Sequence, residues 1–254
     1  MSRSFFAKLS DRISSVGAPL CIGIDPTPDL LSPENMAESA LTFSKHVVDE
    51  TAHVAAAYKP NAAFFEALGP EGWRILHEVV QYITTETEAL VILDAKRGDI
   101  GSTAEAYAQA SFDLMNVGCL TVSPYMGIDS VQPFLKRPNA AVFVLCKTSN
   151  PGSSDFQTLP LADGRLVFEA VVDAFKEAVD RVGFVVGATD VEAIKAVRTR
   201  SPDAWILAPG LGFQGGQVAL KGDSKILYPV SRGVYAGGNY RENAEKFRLM
   251  LALE

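Results

Sequence analysis

Eight short apolar runs, alternating with segments whose apolar residues recur at helical spacing, predict a (β/α)8 TIM barrel with an additional N-terminal helix. The length agrees, because a chain of 254 residues that is 48% hydrophobic can bury one large core. Polar residues gather at the downstream ends of the apolar runs, and in a barrel those ends share the rim where active sites form. A doubly wound open sheet is the competing arrangement, since strands are easily miscounted from one sequence. No linker-like tract or compositional break divides residues 1–254, which read as a single barrel domain.

The additional helix is expected over residues 4–15. The first strand, 20–25, is an apolar run that ends in Asp25-Pro26, and the second, 54–59, ends in Lys59-Pro60. The third, 90–96, is the most informative, because Leu90-Val91-Ile92-Leu93 runs straight into Asp94-Ala95-Lys96-Arg97-Gly98-Asp99. Strands follow over 120–123, 141–146, 184–188, 205–209 and 226–230. Between them, helical spacing marks 40–50, 72–84, 103–116, 166–181, 191–198 and 239–253. The segment 130–137 is shorter, and Pro133 fits only its first turn. Two connections, 148–164 and 210–224, are long and rich in Gly, Ser or Gln, as loops that close over a site often are.

A net charge of −7 and a pI near 5.1 argue against non-specific binding of nucleic acid or an anionic membrane. The N-terminus has no long apolar core of a signal peptide, and no apolar run approaches the roughly 20 residues that span a bilayer. Cys21, Cys119 and Cys146 sit in apolar runs at no metal-ligand spacing, and read as buried reduced thiols of a cytoplasmic protein. His46, His53 and His77 fall on helical stretches away from the rim. No Ser-His-Asp, Cys-His or His-rich metal arrangement is therefore expected, which leaves lysines and carboxylates to do any chemistry.

Residues two apart on a strand share a face, so Asp94 and Lys96 stand about 7 Å apart along it. Opposite charges at the end of a buried strand are costly unless they pair or react. A partly buried ion pair and a catalytic pair are both consistent with the spacing. The run Pro209-Gly210-Leu211-Gly212-Phe213-Gln214-Gly215-Gly216 contains G-x-G-x-x-G, but it follows a late strand and opens no long helix, unlike a dinucleotide fingerprint. It reads better as a phosphate loop, with Arg232 beyond the eighth strand supplying charge; a flexible glycine turn is the plainer alternative.

Six segments in this order resemble the orotidine 5′-phosphate decarboxylases of the longer bacterial type, over nearly the whole chain. They are Gly23-Ile24-Asp25-Pro26, the run from Tyr58 to Glu66, Asp94-Ala95-Lys96-Arg97-Gly98-Asp99-Ile100-Gly101, Ser149-Asn150-Pro151-Gly152, the run from Pro209 to Gly216, and Ser231-Arg232-Gly233. The resemblance implies cofactor-free and metal-free conversion of orotidine 5′-monophosphate to uridine 5′-monophosphate, by a homodimer with shared active sites. It implies a charge array of Lys59, Asp94, Lys96 and Asp99, with Asp99 supplied by the neighbouring subunit and Lys96 protonating C6 of the pyrimidine. Asp25 and Lys59 would hold ribose hydroxyls, Thr103 would reach the ribose from the partner along with Asp99, and Ile100 would also bind substrate. Ser149 would bond the pyrimidine edge beside Pro209. Gln214, Arg232 and the backbone around Gly212 would hold the phosphate.

Asp-x-Lys-x-x-Asp alone is shared with magnesium-dependent hexulose-phosphate synthases and keto-gulonate-phosphate decarboxylases. Those resemble each other in placing a carboxylate near the second strand for the metal. Here Lys59 ends that strand and repels a divalent cation, with Glu66, the nearest acid, further along in the loop. A non-catalytic nucleotide-binding barrel would have no use for a proton-donating lysine at a buried strand end. A dinucleotide-dependent oxidoreductase would retain its cofactor on purification.

Overall fold

The computed structural model of the protein describes residues 3–212 and 215–253. Eight parallel strands pair in chain order and the eighth returns to the first, so the sheet is a closed barrel rather than an open one. The strands are β1 (Leu20–Ile24), β2 (Ala57–Pro60), β3 (Leu90–Arg97), β4 (Cys119–Val122), β5 (Ala141–Lys147), β6 (Val182–Val186), β7 (Ile206–Leu207) and β8 (Ile226–Val230). Helices α1 (Phe5–Val16), α2 (Met36–Thr51), α3 (Ala62–Glu66), α4 (Pro70–Glu86) and α5 (Gly101–Ala108) precede β4. Helices α6 (Ile128–Val131), α7 (Val167–Phe175), α8 (Val191–Arg200), α9 (Arg232–Tyr235) and α10 (Tyr240–Met250) follow it.

The period of two along each strand sorts its residues between two cores. Leu20, Ile22 and Ile24 of β1, with Val91 and Leu93 of β3, pack outward in the large core shared with the helices. Cys21, Ile92, Cys119, Phe143, Val185 and Leu227 fill the barrel interior. All three cysteines are buried free thiols, and burial pushes the Cys21 thiol up to about 12. Among the described residues no helix is long and apolar enough to cross a membrane.

Helix α1 closes the barrel floor. Ser4 caps it by accepting the Ala7 N–H at 3.3 Å, and Gly17 ends it at φ 73°, a left-handed conformation that suits glycine. Its buried stripe, Phe5, Phe6, Leu9 and Ile13, joins the interior core. The Phe6 ring stacks on Trp205 at 5.3 Å between centroids and meets Phe143 edge-on at 5.5 Å. Phe143 of β5 leans over its register partner Gly183 on the adjacent β6, where a Cβ would stand 2.5 Å from its ring, so β6 needs glycine there.

Several elements differ from the sequence expectation for identifiable reasons. The segment 103–116 is not one regular helix: after α5 it widens into a π-helical stretch, Gln109–Leu114, where the Ser111 hydroxyl bonds the Tyr107 carbonyl at 2.9 Å. The segment 130–137 is replaced by α6 and a 3₁₀ turn, Gln132–Leu135, because Pro133 cannot donate the helical hydrogen bond. The segment 166–181 gives α7 and then a 3₁₀ turn, Lys176–Ala178. Strand β7 is shorter than 205–209, ending before Pro209 and Gly210, the latter at φ 107°. Helices α3 and α9 carry no helical periodicity at their lengths; Asn61 caps α3 by accepting the Ala63 N–H at 3.2 Å.

The floor packing gives a stability prediction. Phe6→Ala should cost about 3–5 kcal/mol, as large-to-small aromatic truncations in packed cores do. Chemical denaturation should read this as a lower midpoint with an unchanged slope.

Candidate active site

The same alternation that places Ile92 and Cys119 inside the barrel puts Asp94 and Thr121 at the next inward positions, towards the rim. Two cavities open there. One, of about 320 Å³, is lined by Lys59, Asp94, Lys96, Thr121, Ser149 and Asn150, with apolar walls from Leu145, Val185, Leu207 and Pro209. The other, of about 160 Å³, is lined by Asp25, Lys59, Pro209, Gly210, Leu211, Pro229, Ser231, Arg232 and Gly233. Lys59 and Pro209 line both, so the two cavities adjoin across the rim as neighbouring parts of one groove lining.

A line of alternating charge runs along the first cavity. Lys59 Nζ donates to Asp94 Oδ2 at 2.8 Å, and Lys96 Nζ donates to Asp94 Oδ1 at 2.6 Å. The Lys59 and Asp94 side chains are nearly buried, at 8% and 12% exposure, whereas that of Lys96 is 51% exposed. Burial alone would raise the Asp94 carboxyl, but the Lys59 and Lys96 ammonium groups outweigh it and hold the carboxyl well below its ordinary range. Burial likewise disfavours the Lys59 ammonium, yet Asp94 and Asp25 outweigh it and keep its pKa above the ordinary value. Lys59 and Asp94 are therefore ionised together near neutral pH.

The expected pairing of Asp94 with Lys96 is present, but not by simple strand alternation. The β3–β4 register shifts between Leu93 and Arg97, and Lys96 has φ 47°, in the left-handed region. Thr121, 1% exposed, sits under this irregularity. Its Oγ1 lies 3.0 Å from the Ala95 nitrogen, 2.9 Å from the Lys96 nitrogen and 3.1 Å from Asp94 Oδ1. Sequence reasoning passed over Thr121; the available signal was a polar residue at an inward position between apolar Leu120 and Val122.

In the second cavity Asp25 Oδ1 is buried and has no hydrogen-bond partner among the described residues. A buried acceptor left open beside a cavity suits a hydroxyl-bearing ligand. Tyr235 steadies the backbone here, donating to the Gly23 carbonyl and accepting the Asp25 N–H at 3.3 Å. The glycine-rich loop folds back on itself: the Gly216 N–H bonds the Gly210 carbonyl at 3.0 Å, and a Cβ on Gly216 would stand 2.6 Å from that oxygen. Arg232 lines the cavity from the first turn of α9. Gln214, expected at the phosphate, lies outside the described residues.

Ser149 reaches the first cavity from the loop after β5. That loop is pinned by Lys147 Nζ, which donates to Ser153 Oγ at 2.7 Å, and by Gln157 Oε1, which accepts the Thr148 N–H at 2.8 Å. Its later residues Phe156, Gln157 and Leu161 wall an outer apolar cavity of about 730 Å³ with Tyr125 and Ile128. Ser123 faces that outer cavity and not the central groove.

Four expected site residues are absent from the lining of both central cavities: Asp99, Ile100, Thr103 and Gly212. Asp99 Oδ1 accepts the Ile100 N–H at 2.8 Å, Ile100 is 56% exposed, and Thr103 is exposed on α5. Gly212, at φ 82°, lies against Phe247 instead. Glu66 ends α3 rather than lying in a loop, and it pairs with Arg97. Among the described residues no three His, Cys, Asp or Glu side chains converge where a metal ion could be held. His46 packs edge-on against Tyr240 at 4.8 Å between ring centroids.

The array gives a prediction for acid stability. A carboxylate whose folded pKa is depressed contributes stability that is complete above its unfolded value and lost as pH falls below it. Asp94→Asn should cost about 3–5 kcal/mol at neutral pH, because it leaves Lys59 buried without its counter-charge. The gap between wild type and variant should stay level from about pH 8 to 5 and narrow below about pH 4, in denaturation curves taken across that range.

The sequence profile of the orotidine 5′-phosphate decarboxylase / HUMPS family matches residues 18–247. The orotidine 5′-phosphate decarboxylase of Roseiflexus castenholzii is 42% identical over 254 residues, 93% of this chain and 92% of that one. Its counterpart in Roseiflexus sp. is 45% identical over 248 residues, 91% of this chain and 90% of that one. The structure of Leishmania donovani OMP decarboxylase superposes with a TM-score of 0.85 at 43% identity, covering 96% of this chain and 95% of that one. With a barrel that closes in the same way and a match spanning nearly all of it, the chain belongs to the orotidine 5′-phosphate decarboxylase family, as one of its carbon–carbon lyases.

Proposed function

We propose that this protein converts orotidine 5′-monophosphate to uridine 5′-monophosphate without a cofactor, in pyrimidine biosynthesis. The observation that carries the reading is the groove: an arginine- and glycine-lined cavity joined through Lys59 to a cavity holding the buried Lys59–Asp94–Lys96 array. The phosphate fits the Arg232 end, where guanidinium geometry suits an anion. Ribose hydroxyls fit the middle, beside the open acceptor of Asp25 and the Lys59 ammonium. The pyrimidine fits the far end, with Ser149 at its edge and Leu145, Val185, Leu207 and Pro209 around it.

The chemistry follows from the charges. The bond from C6 to the carboxylate breaks, carbon dioxide leaves, and the electron pair stays on C6 in the ring plane, where no neighbouring group delocalises it. The Lys96 ammonium, fixed by Asp94, supplies positive potential to that pair and then its proton. Lys96 is half exposed, so solvent can restore the proton. The Asp94 carboxylate, ionised beside the departing carboxylate, would disfavour the bound ground state. Holding the phosphate far from the breaking bond lets its binding energy be used at the reacting centre.

A homodimer with shared sites is part of the proposal. Asp99, Ile100 and Thr103 lie away from their own chain's groove, on a surface that also exposes apolar side chains. Ile100 is 56% exposed, Tyr125 90% and Phe156 68%, and Met126 touches the position of Gly98. An exposed apolar patch of this kind suits an interface, across which Asp99 would complete a neighbour's array. No membrane or nucleic-acid partner is proposed, and the acidic chain is read as cytoplasmic.

Two measurements test this. Loss of the ultraviolet absorbance of orotidine 5′-monophosphate with EDTA-treated protein should be rapid, and Lys96→Ala should abolish it; slow turnover restored by magnesium would overturn the cofactor-free reading. Lys96→Ala and Asp99→Ala homodimers should each be nearly inactive. Mixed in equal amounts and allowed to exchange, they should recover roughly a quarter of wild-type activity, because each hybrid dimer holds one intact site. No recovery despite exchange would rule out shared sites.

A further inference from the structure

We propose that Thr121 is a positioning residue for the reaction: its one hydroxyl fixes both the Asp94 carboxylate and the backbone of Lys96, and so aims the Lys96 ammonium. The inference rests on the decarboxylase reading above. A threonine hydroxyl has one proton and two lone pairs. The N–H groups of Ala95 and Lys96, at 3.0 and 2.9 Å, can only donate, and together they occupy both lone pairs. The hydroxyl proton is thereby directed to Asp94 Oδ1, at 3.1 Å. No capacity remains to bind substrate, although Thr121 lines the cavity, so it acts through its neighbours.

The placement of this hydroxyl is specific. Strand β3 loses register with β4 between Leu93 and Arg97, and pairing resumes where the Ser123 N–H meets the Arg97 carbonyl at 2.8 Å. Across that gap the threonine side chain accepts both amide protons, of which a regular ladder would have directed only one towards β4, because successive N–H groups of a strand point to opposite sides. It thereby stabilises Lys96 at φ 47°, a conformation unfavourable to a residue with a Cβ. The turn brings Lys96 Nζ back to within 2.6 Å of Asp94 Oδ1, the oxygen that Thr121 also holds. Lys59 binds the other oxygen, so Asp94 is oriented from three sides.

Thr121→Val keeps the branched shape and removes the hydroxyl; Thr121→Ser keeps the hydroxyl. With orotidine 5′-monophosphate as substrate, Thr121→Val should lower kcat about 10- to 100-fold while KM moves less than about threefold, since phosphate and pyrimidine contacts come from other strands. Thr121→Ser should recover kcat to within about threefold of wild type. Near-wild-type kcat in Thr121→Val, or an equal loss in Thr121→Ser, would overturn the proposal. Thr121→Ala provides the same comparison should the valine variant not fold. Inactive wild-type protein would instead refute the decarboxylase reading. The crystal structure of the hydroxyl-free variant then decides the positioning claim: Lys96 leaving the left-handed region or Asp94 supports it, and an unchanged Lys96 overturns it.

Discussion

Lys59, Asp94 and Lys96 form the interaction on which the rim depends. Two ammonium groups share one carboxylate, and the inner pair is almost sealed from water. Desolvation opposes the charges of Lys59 and Asp94, and their mutual attraction keeps that inner pair ionised. The walls then have a second task. Leu145, Val185 and Leu207 surround the array with apolar surface, which lowers the local dielectric and strengthens the field at the half-exposed Lys96. An array of fixed charges in a low-dielectric pocket meets developing negative charge without having to reorganise.

The barrel supplies the precision this requires. Lys59 and Asp94 come from adjacent strands, tied by the Ala57–Leu90 and Tyr58–Val91 pairs and by the Asn61–Asp94 bridge beyond them. Below the rim the interior is solid, with Phe143 leaning over the neighbouring Gly183 of β6 and α1 plugging the floor through Phe6. A close-packed interior is barely compressible, so it holds the strand ends in fixed positions. The rim carries irregular backbone of its own, at the left-handed Lys96 and at Gly210 and Gly212, where a regular strand could not aim the functional groups.

The groove and the surface around β3 divide the motif between two environments. Asp94 and Lys96 turn inward to the cavity, whereas Asp99 and Ile100, a few residues on, lie outside it. Gly98 sits at this division, with Ser123 and Met126 packed against the place its side chain would occupy. One short segment thus serves both a chain's own pocket and its outer face.

The eight strands, the main helices between them, the gathering of charge at strand ends and the two long loops could all be read from the sequence. Each is written in local periodicity and composition, which a window of a few residues contains. The nearness of Asp94 and Lys96 was legible in the spacing, but the left-handed turn at Lys96 through which they pair was not. That the sheet closes, that Lys147 bonds Ser153, and that Ser123 faces an outer cavity became definite only in the folded chain. So did the contacts by which Thr121 of β4 holds the end of β3. These depend on register between strands distant in sequence and on where an irregular strand end turns its side chains. No local pattern encodes either, because the partner that satisfies each polar group is brought there by the rest of the fold.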